Sequence, residues 1–430
     1  GSLHTYAGDY HSGDKVYNDL NTFSIDDDYS FSANLSGPIL RDKITFYSSG
    51  RVNQSKGWLN GLQTFTIYGD TIFNDENDNR YFDGNEKQKV PYYKGLNWHS
   101  SWSTQNKITF NIFKATTFKI NTILNSRESQ DFNHALQLLE NAQRTNFNQG
   151  RFLGLSISHT LSPSSFLQIN VSENKYNYET HLFDNPLDDR YITPDSLFLA
   201  QQENRIPDHI IDQYGDQVQY FPAYSLYRAG VDNRRFERET KTANYKLDFT
   251  SQINKYNQIK MGIDYSVHSL MLDQYSILDS TLTDQIYTPL IPAIGSFTRS
   301  NYIFKPTEFS IYAQDKIEYG DMIINFGLRY ESFDPKAKIP NNIHEPYIKD
   351  PRNPALDTLS ISELENINWG DISYTEIDSN GNEISYTYAD YYNRFNDQPY
   401  LNQKLGWWKN TTVKSLLSPR AAVAYPISDK

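Results

Sequence analysis

Asp75, Asn77, Asn79 and Asp83 place side-chain oxygens at close intervals along one polar stretch. Alternating carboxylates and amides of this kind can replace the water shell of a calcium ion. The match is partial, because Arg80 stands where such a loop needs glycine and no glutamate closes the ligand set. A solvated polar loop is the simpler reading. Asp378, Asn380, Asn382 and Glu383 around Gly381 read first as a turn. The Trp407 and Trp408 pair offers a different chemistry, stacking on a sugar or another flat ligand, although rings at this point in the chain also suit a membrane boundary. Lys260, Asp264, Arg329 and Glu331 could touch a substrate or pair with one another. There is no His-Glu-x-x-His zinc helix, no phosphate-binding Gly-x-x-x-x-Gly-Lys and no Gly-x-Ser-x-Gly elbow, so no catalytic residue is assigned and an enzyme is not expected. No cofactor is implied beyond the calcium candidate.

Composition narrows the class of molecule that must position these residues. A net charge of -12 with acidic residues spread through polar stretches leaves no basic stripe for a phosphate backbone, so nucleic acid is excluded as a partner. With 0 cysteines there are no disulfides, thiolate metal sites or cysteine nucleophiles. Mean hydropathy is -0.68 and no apolar run approaches the roughly 20 residues of a spanning helix. Yet 33 Tyr, 24 Phe and 6 Trp make up 15% of the chain, and such rings favour a boundary that is apolar at one end and wet at the other.

The elements themselves alternate with a period of two. Ile259, Met261, Ile263, Tyr265 and Val267 interleave with Lys260, Gly262, Asp264, Ser266 and His268, which puts one apolar and one polar face on a single strand. Leu153, Leu155 and Ile157, then Leu167, Ile169 and Val171, then Ile324, Phe326, Leu328 and Tyr330 repeat the phase. Twelve such strands are expected, at 2–10, 27–36, 43–54, 96–110, 117–129, 150–161, 165–178, 241–254, 258–273, 306–319, 321–333 and 413–426. Their connectors alternate between tight turns (37–42, 111–116, 162–164, 255–257 and Gly320) and long polar loops (11–26, 55–95, 130–149, 179–240, 274–305 and 334–412). Trp98 and Trp102 share a face with Leu96, Ile108 and Phe110 and are expected to anchor the bilayer boundary, while 133–142, with Ala135, Leu138, Leu139 and Ala142 at helical spacing, predicts a short helix inside one long loop.

An antiparallel sandwich also alternates, with its apolar side turned inward. Strand length and the strict short-long rhythm favour an up-and-down transmembrane β-barrel, whose strands need about 9 to 11 residues to span at a tilt and whose loops are short on one side and long on the other. Residues 1–430 are therefore expected to be one partial barrel domain, open at both ends and belonging to a longer wall.

Several segments resemble the barrel of a TonB-dependent outer-membrane receptor of the Bacteroidota type. They are Leu35-Ser-Gly-Pro-Ile39 with Lys43-Ile-Thr-Phe-Tyr47 and Arg51, Tyr245-Lys-Leu-Asp-Phe-Thr-Ser-Gln-Ile253 with Ile259-Lys-Met-Gly-Ile-Asp-Tyr265, Tyr312-Ala-Gln-Asp-Lys-Ile317 running into Asn325-Phe-Gly-Leu-Arg-Tyr330 and Phe333-Asp-Pro335, and Leu417-Ser-Pro-Arg420 with Tyr425-Pro-Ile-Ser-Asp-Lys430. The resemblance implies a wall of about 22 strands around a plugged lumen. It also implies energy-coupled uptake of a scarce, bulky nutrient such as a siderophore, cobalamin, glycan or peptide. Implied partners are the lipid bilayer, the extracellular ligand, a possible surface lipoprotein, and the TonB-ExbB-ExbD complex, reached through an N-terminal plug region that this sequence lacks. The resemblance does not extend to the loops. Two other readings of the residues stay open here, a passive porin or adhesin and a secreted all-β carbohydrate-active protein.

Overall fold

The computed structural model describes residues 1–74, 87–191, 226–279, 289–292, 298–340, 373–377, 383–387 and 408–425. Twelve long strands follow one another as an antiparallel meander: β1 (Ser2–Gly8), β2 (Asp28–Leu40), β3 (Ile44–Ser55), β4 (His99–Phe113), β5 (Thr116–Gln130), β6 (Thr145–Ser162), β7 (Ser165–His181), β8 (Arg234–Gln252), β9 (Asn257–Ser276), β10 (Thr307–Tyr319), β11 (Met322–Asp334) and β12 (Lys414–Ala424). Each expected strand is present and paired with its neighbour in sequence. The sheet counts 13 strands because Arg299–Phe304, expected as loop, pairs with the upper half of β9. Among the described pairings β1 and β12 each have one partner, so the sheet is open at those two edges.

The strands run further toward the long loops than the apolar alternation does. β8 starts at Arg234, seven residues before the expected 241, and this extension carries Arg235, Glu237 and Glu239 on the face that is apolar lower down. Backbone pairing persists where the need for an apolar surface has ended. At the opposite end the turns are tight, as at Gly320, where φ is 58°, a left-handed conformation that glycine adopts without a Cβ clash.

One register row crosses most of the sheet: Ile44, Phe110, Phe118, Ile157, Ile169, Leu247, Ile263, Ile311, Tyr330 and Leu417, each directly opposite the next. On β3 this row is the bottom of the apolar face, which continues upward through Phe46 to Val52. On β12 it is close to the top, and the apolar face continues downward through Pro419, Ala421 and Val423. A level apolar belt therefore descends through the register from one edge to the other. Strands inclined to the belt produce this drift, and strands in a barrel wall are tilted in that way.

Among the described residues nothing covers the apolar face. Ile263 is 40% exposed, Ile311 44%, Phe326 53% and Leu417 60%. The buried core lies elsewhere, in the long loops, where Ile67, Tyr68, Leu136, Leu139, Ala142, Tyr191, Val231 and Ile277 form one cluster. A sandwich would bury the strand face between two layers, and this arrangement does the reverse.

Candidate functional site

Three surfaces can meet a ligand, namely the polar face of the sheet, the loop assembly above it, and the apolar face. On the polar face β8 to β11 bring together a hydrogen-bonded ladder. Tyr312 Oη donates to Asp248 Oδ1 at 2.7 Å, Asn244 Nδ2 donates to Asp264 Oδ1 at 2.6 Å and to Ser266 Oγ at 2.9 Å, and Lys246 lies 3.4 Å from Asp248. Arg329 donates to Glu331 Oε1 at 2.6 Å and to Ser310 Oγ at 3.0 Å. Gly262 makes the Tyr312 contact possible, since a Cβ there would fall 2.5 Å from the Tyr312 ring and 2.7 Å from Asp248 Oδ1. Of the polar residues singled out from sequence, Asp264, Arg329 and Glu331 are thus engaged within the wall. Lys260 is exposed and has no ion pair among the described residues.

Above the sheet the loops are tied into a single cap. Phe65 N donates to Leu138 O and Glu140 N to Phe65 O, Tyr227 N reaches Ala135 O, Gly230 N reaches Ile67 O, Asp232 N reaches Ala142 O, and Ile277 N reaches Asn233 O. Backbone bonds therefore link the loops that follow β3, β5, β7 and β9. The helix expected over 133–142 reduces to a single 3-10 turn, His134–Leu136, because backbone groups at Leu138 and Glu140 pair with Phe65 instead of with their own chain. Leu139 and Ala142 still reach the core, each at 1% exposure.

Charges inside the cap are neutralised in place. Arg144 Nε and Arg234 Nη2 both reach Asp232 Oδ2, at 2.8 and 2.9 Å. Burial works to raise the Asp232 pKa, but the Arg234 hydrogen bond and the Arg144 charge outweigh it and hold the carboxyl below the usual carboxylate range. Tyr92 donates to Glu140 Oε1 at 2.8 Å, and its burial, together with that carboxylate, pushes the phenol up to about 12. Arg190 forms a two-point pair with Asp188 and lies over the Phe183 ring, 4.0 Å from its centre. Tyr191 is 1% exposed and its hydroxyl joins Phe183 N, Phe183 O and Arg235 Nη1.

A cleft of about 310 Å³ opens between these loops, with Gln63, Trp98, Gln130, Asn141, Gln143 and Arg190 in its walls. Trp98 Nε1 donates to Gln130 Oε1 at 3.1 Å, and Gln130 Nε2 passes the chain on to Gln143 O at 3.0 Å. Gln63 and Gln143 are 0% and 5% exposed, and Gln63 Oε1 and Gln143 Nε2 have no hydrogen-bond partner among the described residues. Buried amides surround a ring in this cleft, Arg190 in its wall is paired with Asp188, and Lys94 donates to the neutral Asn141 Oδ1 at 3.0 Å, so the walls offer amide groups and one ammonium to a polar group.

One of the two expected membrane anchors moves in this picture. Pairing on β4 begins at His99, so Trp98 precedes the strand and stands in the cleft wall, and Leu96 is 3% exposed, held by its N–H to Leu59 O. Trp102 does lie on the apolar face, opposite Val52 and Ser126, and is 46% exposed. Asp75, Asn77, Asn79 and Asp83 lie outside the described residues, as do Asp378, Asn380, Asn382 and Trp407. Glu383 opens a short strand paired with Ser373–Ile377, and Trp408 opens another paired with Lys338–Pro340. Sequence reasoning missed Gln63, Gln130, Gln143 and Arg190, which come from the end of β5 and from the loops after β3, β5 and β7 and share no spacing.

No family model and no curated protein matches the chain. Similar solved structures include the outer membrane transporter YddB from Escherichia coli, 10% identical over 77% of this chain and 39% of that one, with a TM-score of 0.48. The FrpB iron transporter from Neisseria meningitidis (F3-3 variant) is 13% identical over 78% of this chain and 40% of its own, with a TM-score of 0.41. This chain spans about 39–40% of the length of these two structures.

Proposed function

We propose that this chain is part of the wall and mouth of an outer-membrane, TonB-dependent receptor that takes up a scarce, bulky nutrient. The observation carrying this reading is the uncovered apolar belt, with Ile263, Ile311 and Leu328 each at least 40% exposed while the buried apolar side chains collect in the loops. Exposed apolar surface on this scale marks an interaction site, and a tilted belt running along one face of a meander fits a lipid bilayer. In hydrocarbon every backbone donor needs a partner, so further strands of the whole protein pair with the free edges of β1 and β12. The short turns face the periplasm and the loop cap faces outside.

The ordered segments at the resemblance positions, from Leu35 to Arg420, support the TonB-dependent family over a passive porin. In that mechanism the cap captures ligand outside, the TonB-ExbB-ExbD complex pulls on a plug from the periplasm, and the ligand passes along the polar face. A surface lipoprotein is a candidate partner at the cap, and calcium in the 75–83 stretch a candidate structural ion. The full-length protein tests this directly. It is expected in the outer-membrane fraction, with uptake of its nutrient abolished by deleting tonB. Recovery in the aqueous fraction without detergent, or uptake unaffected by the deletion, would overturn the reading.

A further inference from the structure

The cleft between the cap loops holds two amide groups that are each tied down at one end and unused at the other. Gln63 Nε2 donates to Gln137 O at 3.0 Å, which leaves Oε1 as the free atom, and Gln143 Oε1 accepts from Asn133 N at 3.0 Å, which leaves Nε2. Both side chains are more than nine-tenths buried, and neither free atom has a partner among the described residues. A buried polar group left without a partner is costly. One lone acceptor and one lone donor in the walls of the same cleft call for a molecule that answers both.

The rest of the lining narrows the choice. Trp98 is pinned at its edge by the Nε1 bond to Gln130 Oε1, so the ring stands as a wall. The negative face of an aromatic ring attracts C–H groups laid against it. Among the described residues no carboxylate lines the cleft, and Lys94 is its one cation without an ion pair. The Lys94 ammonium donates to the neutral amide of Asn141, the Glu140 carboxylate next in sequence accepts from Tyr92, and Arg190 is held by Asp188. At about 310 Å³ the space lies at the lower end of the roughly 300 to 1,000 Å³ of ligand pockets, enough for one ring.

We propose that this cleft binds a sugar unit that carries a carboxylate, a uronic acid at the end of a larger ligand. A hydroxyl both donates and accepts, so neighbouring hydroxyls of one ring answer Gln63 Oε1 and Gln143 Nε2 together. The carboxylate meets Lys94 in a charge-assisted hydrogen bond, and the C–H face of the ring lies on Trp98. A peptide C-terminus also brings a carboxylate, but it has a single N–H donor per residue and no ring face for the indole. The inference names a ligand class for the cap in the uptake reading above and rests on that reading.

The test is saturation-transfer NMR on the full-length protein in detergent micelles, with methyl β-glucuronide, methyl β-glucoside and N-acetyl dialanine as probes. The glucuronide is expected to bind roughly tenfold more tightly than the neutral glucoside. Lys94→Met should remove that preference at an unchanged unfolding midpoint, while Lys107→Met, on the wall outside the cleft, should keep it. No binding of either sugar, equal binding of both, or dialanine binding as tightly as the glucuronide would overturn the proposal. A preference that survives Lys94→Met, or that Lys107→Met removes as well, would also overturn it, because it would then belong to the overall charge and not to this cleft. None of these outcomes bears on the outer-membrane reading, which stands or falls on fractionation and the tonB deletion.

Discussion

The outer face of the sheet and the core of the loop cap use the same apolar residue types and treat them in opposite ways. Ile263 and Leu328 stand 40% and 44% exposed on the sheet, whereas Leu139 and Ile277 are 1% exposed in the cap. The cap behaves as a small soluble protein that folds against water. The sheet gains nothing from water on its apolar side and is built for a solvent that the molecule itself does not supply. The two regions should therefore respond differently to the same kinds of change.

The largest effect is expected in the cap. Leu139→Ala should cost about 2 to 5 kcal/mol through lost transfer energy and a residual cavity. Hydrogen exchange should show faster opening at 64–72 and 226–233 and no change on β9 and β10. Equal loosening of the wall would break the distinction between the regions.

Next is Ile263→Arg, expected to destabilise the lipid-embedded protein by about 2 to 4 kcal/mol if the side chain lies near mid-bilayer. Asp264→Arg, one residue along and on the other face, should be much better tolerated. Equal costs in lipid unfolding experiments would contradict the face assignment.

A smaller, pH-dependent effect is expected at Asp232. Its folded pKa is depressed, so its contribution is complete above the ordinary carboxylate value and is lost as pH falls through the folded value. Asp232→Asn should cost the cap about 1 to 3 kcal/mol at neutral pH and flatten its acid sensitivity. Protection of the cap amides measured against pH checks this, and an unchanged acid profile in the variant would refute it.

The smallest expected effect is at Gly262. Alanine there should displace Tyr312 from Asp248 at about 1 kcal/mol, read as a modest shift of the unfolding midpoint. No shift would mean that the ring moves aside freely.

The wall was legible in the sequence because strand alternation is local: Ile259 to His268 displays both faces without reference to any other segment. The cap was not legible, because Ile67, Leu139, Tyr191, Val231 and Ile277 become neighbours only when separate loops pair through their backbones. The same cause hid the Arg299–Phe304 strand and undid the helix expected over 133–142. Leu96 and Trp98 matched the alternation by residue type, but pairing starts at His99 and leaves them to the cap. In the site, Asp264, Arg329 and Glu331 were readable as the polar face, while lone glutamines such as Gln63 and Gln143 carry no pattern to read.

Because the chain has 0 cysteines, single labels can be placed without background. Spin labels at each position from Ile259→Cys to His268→Cys, in the full-length protein in vesicles, report accessibility to lipid-soluble oxygen and to a water-soluble nickel chelate. Labels at 259, 261, 263, 265 and 267 should favour oxygen and those between them the chelate, with a period of two. If both sets favour the chelate, or neither alternates, the apolar face does not contact lipid.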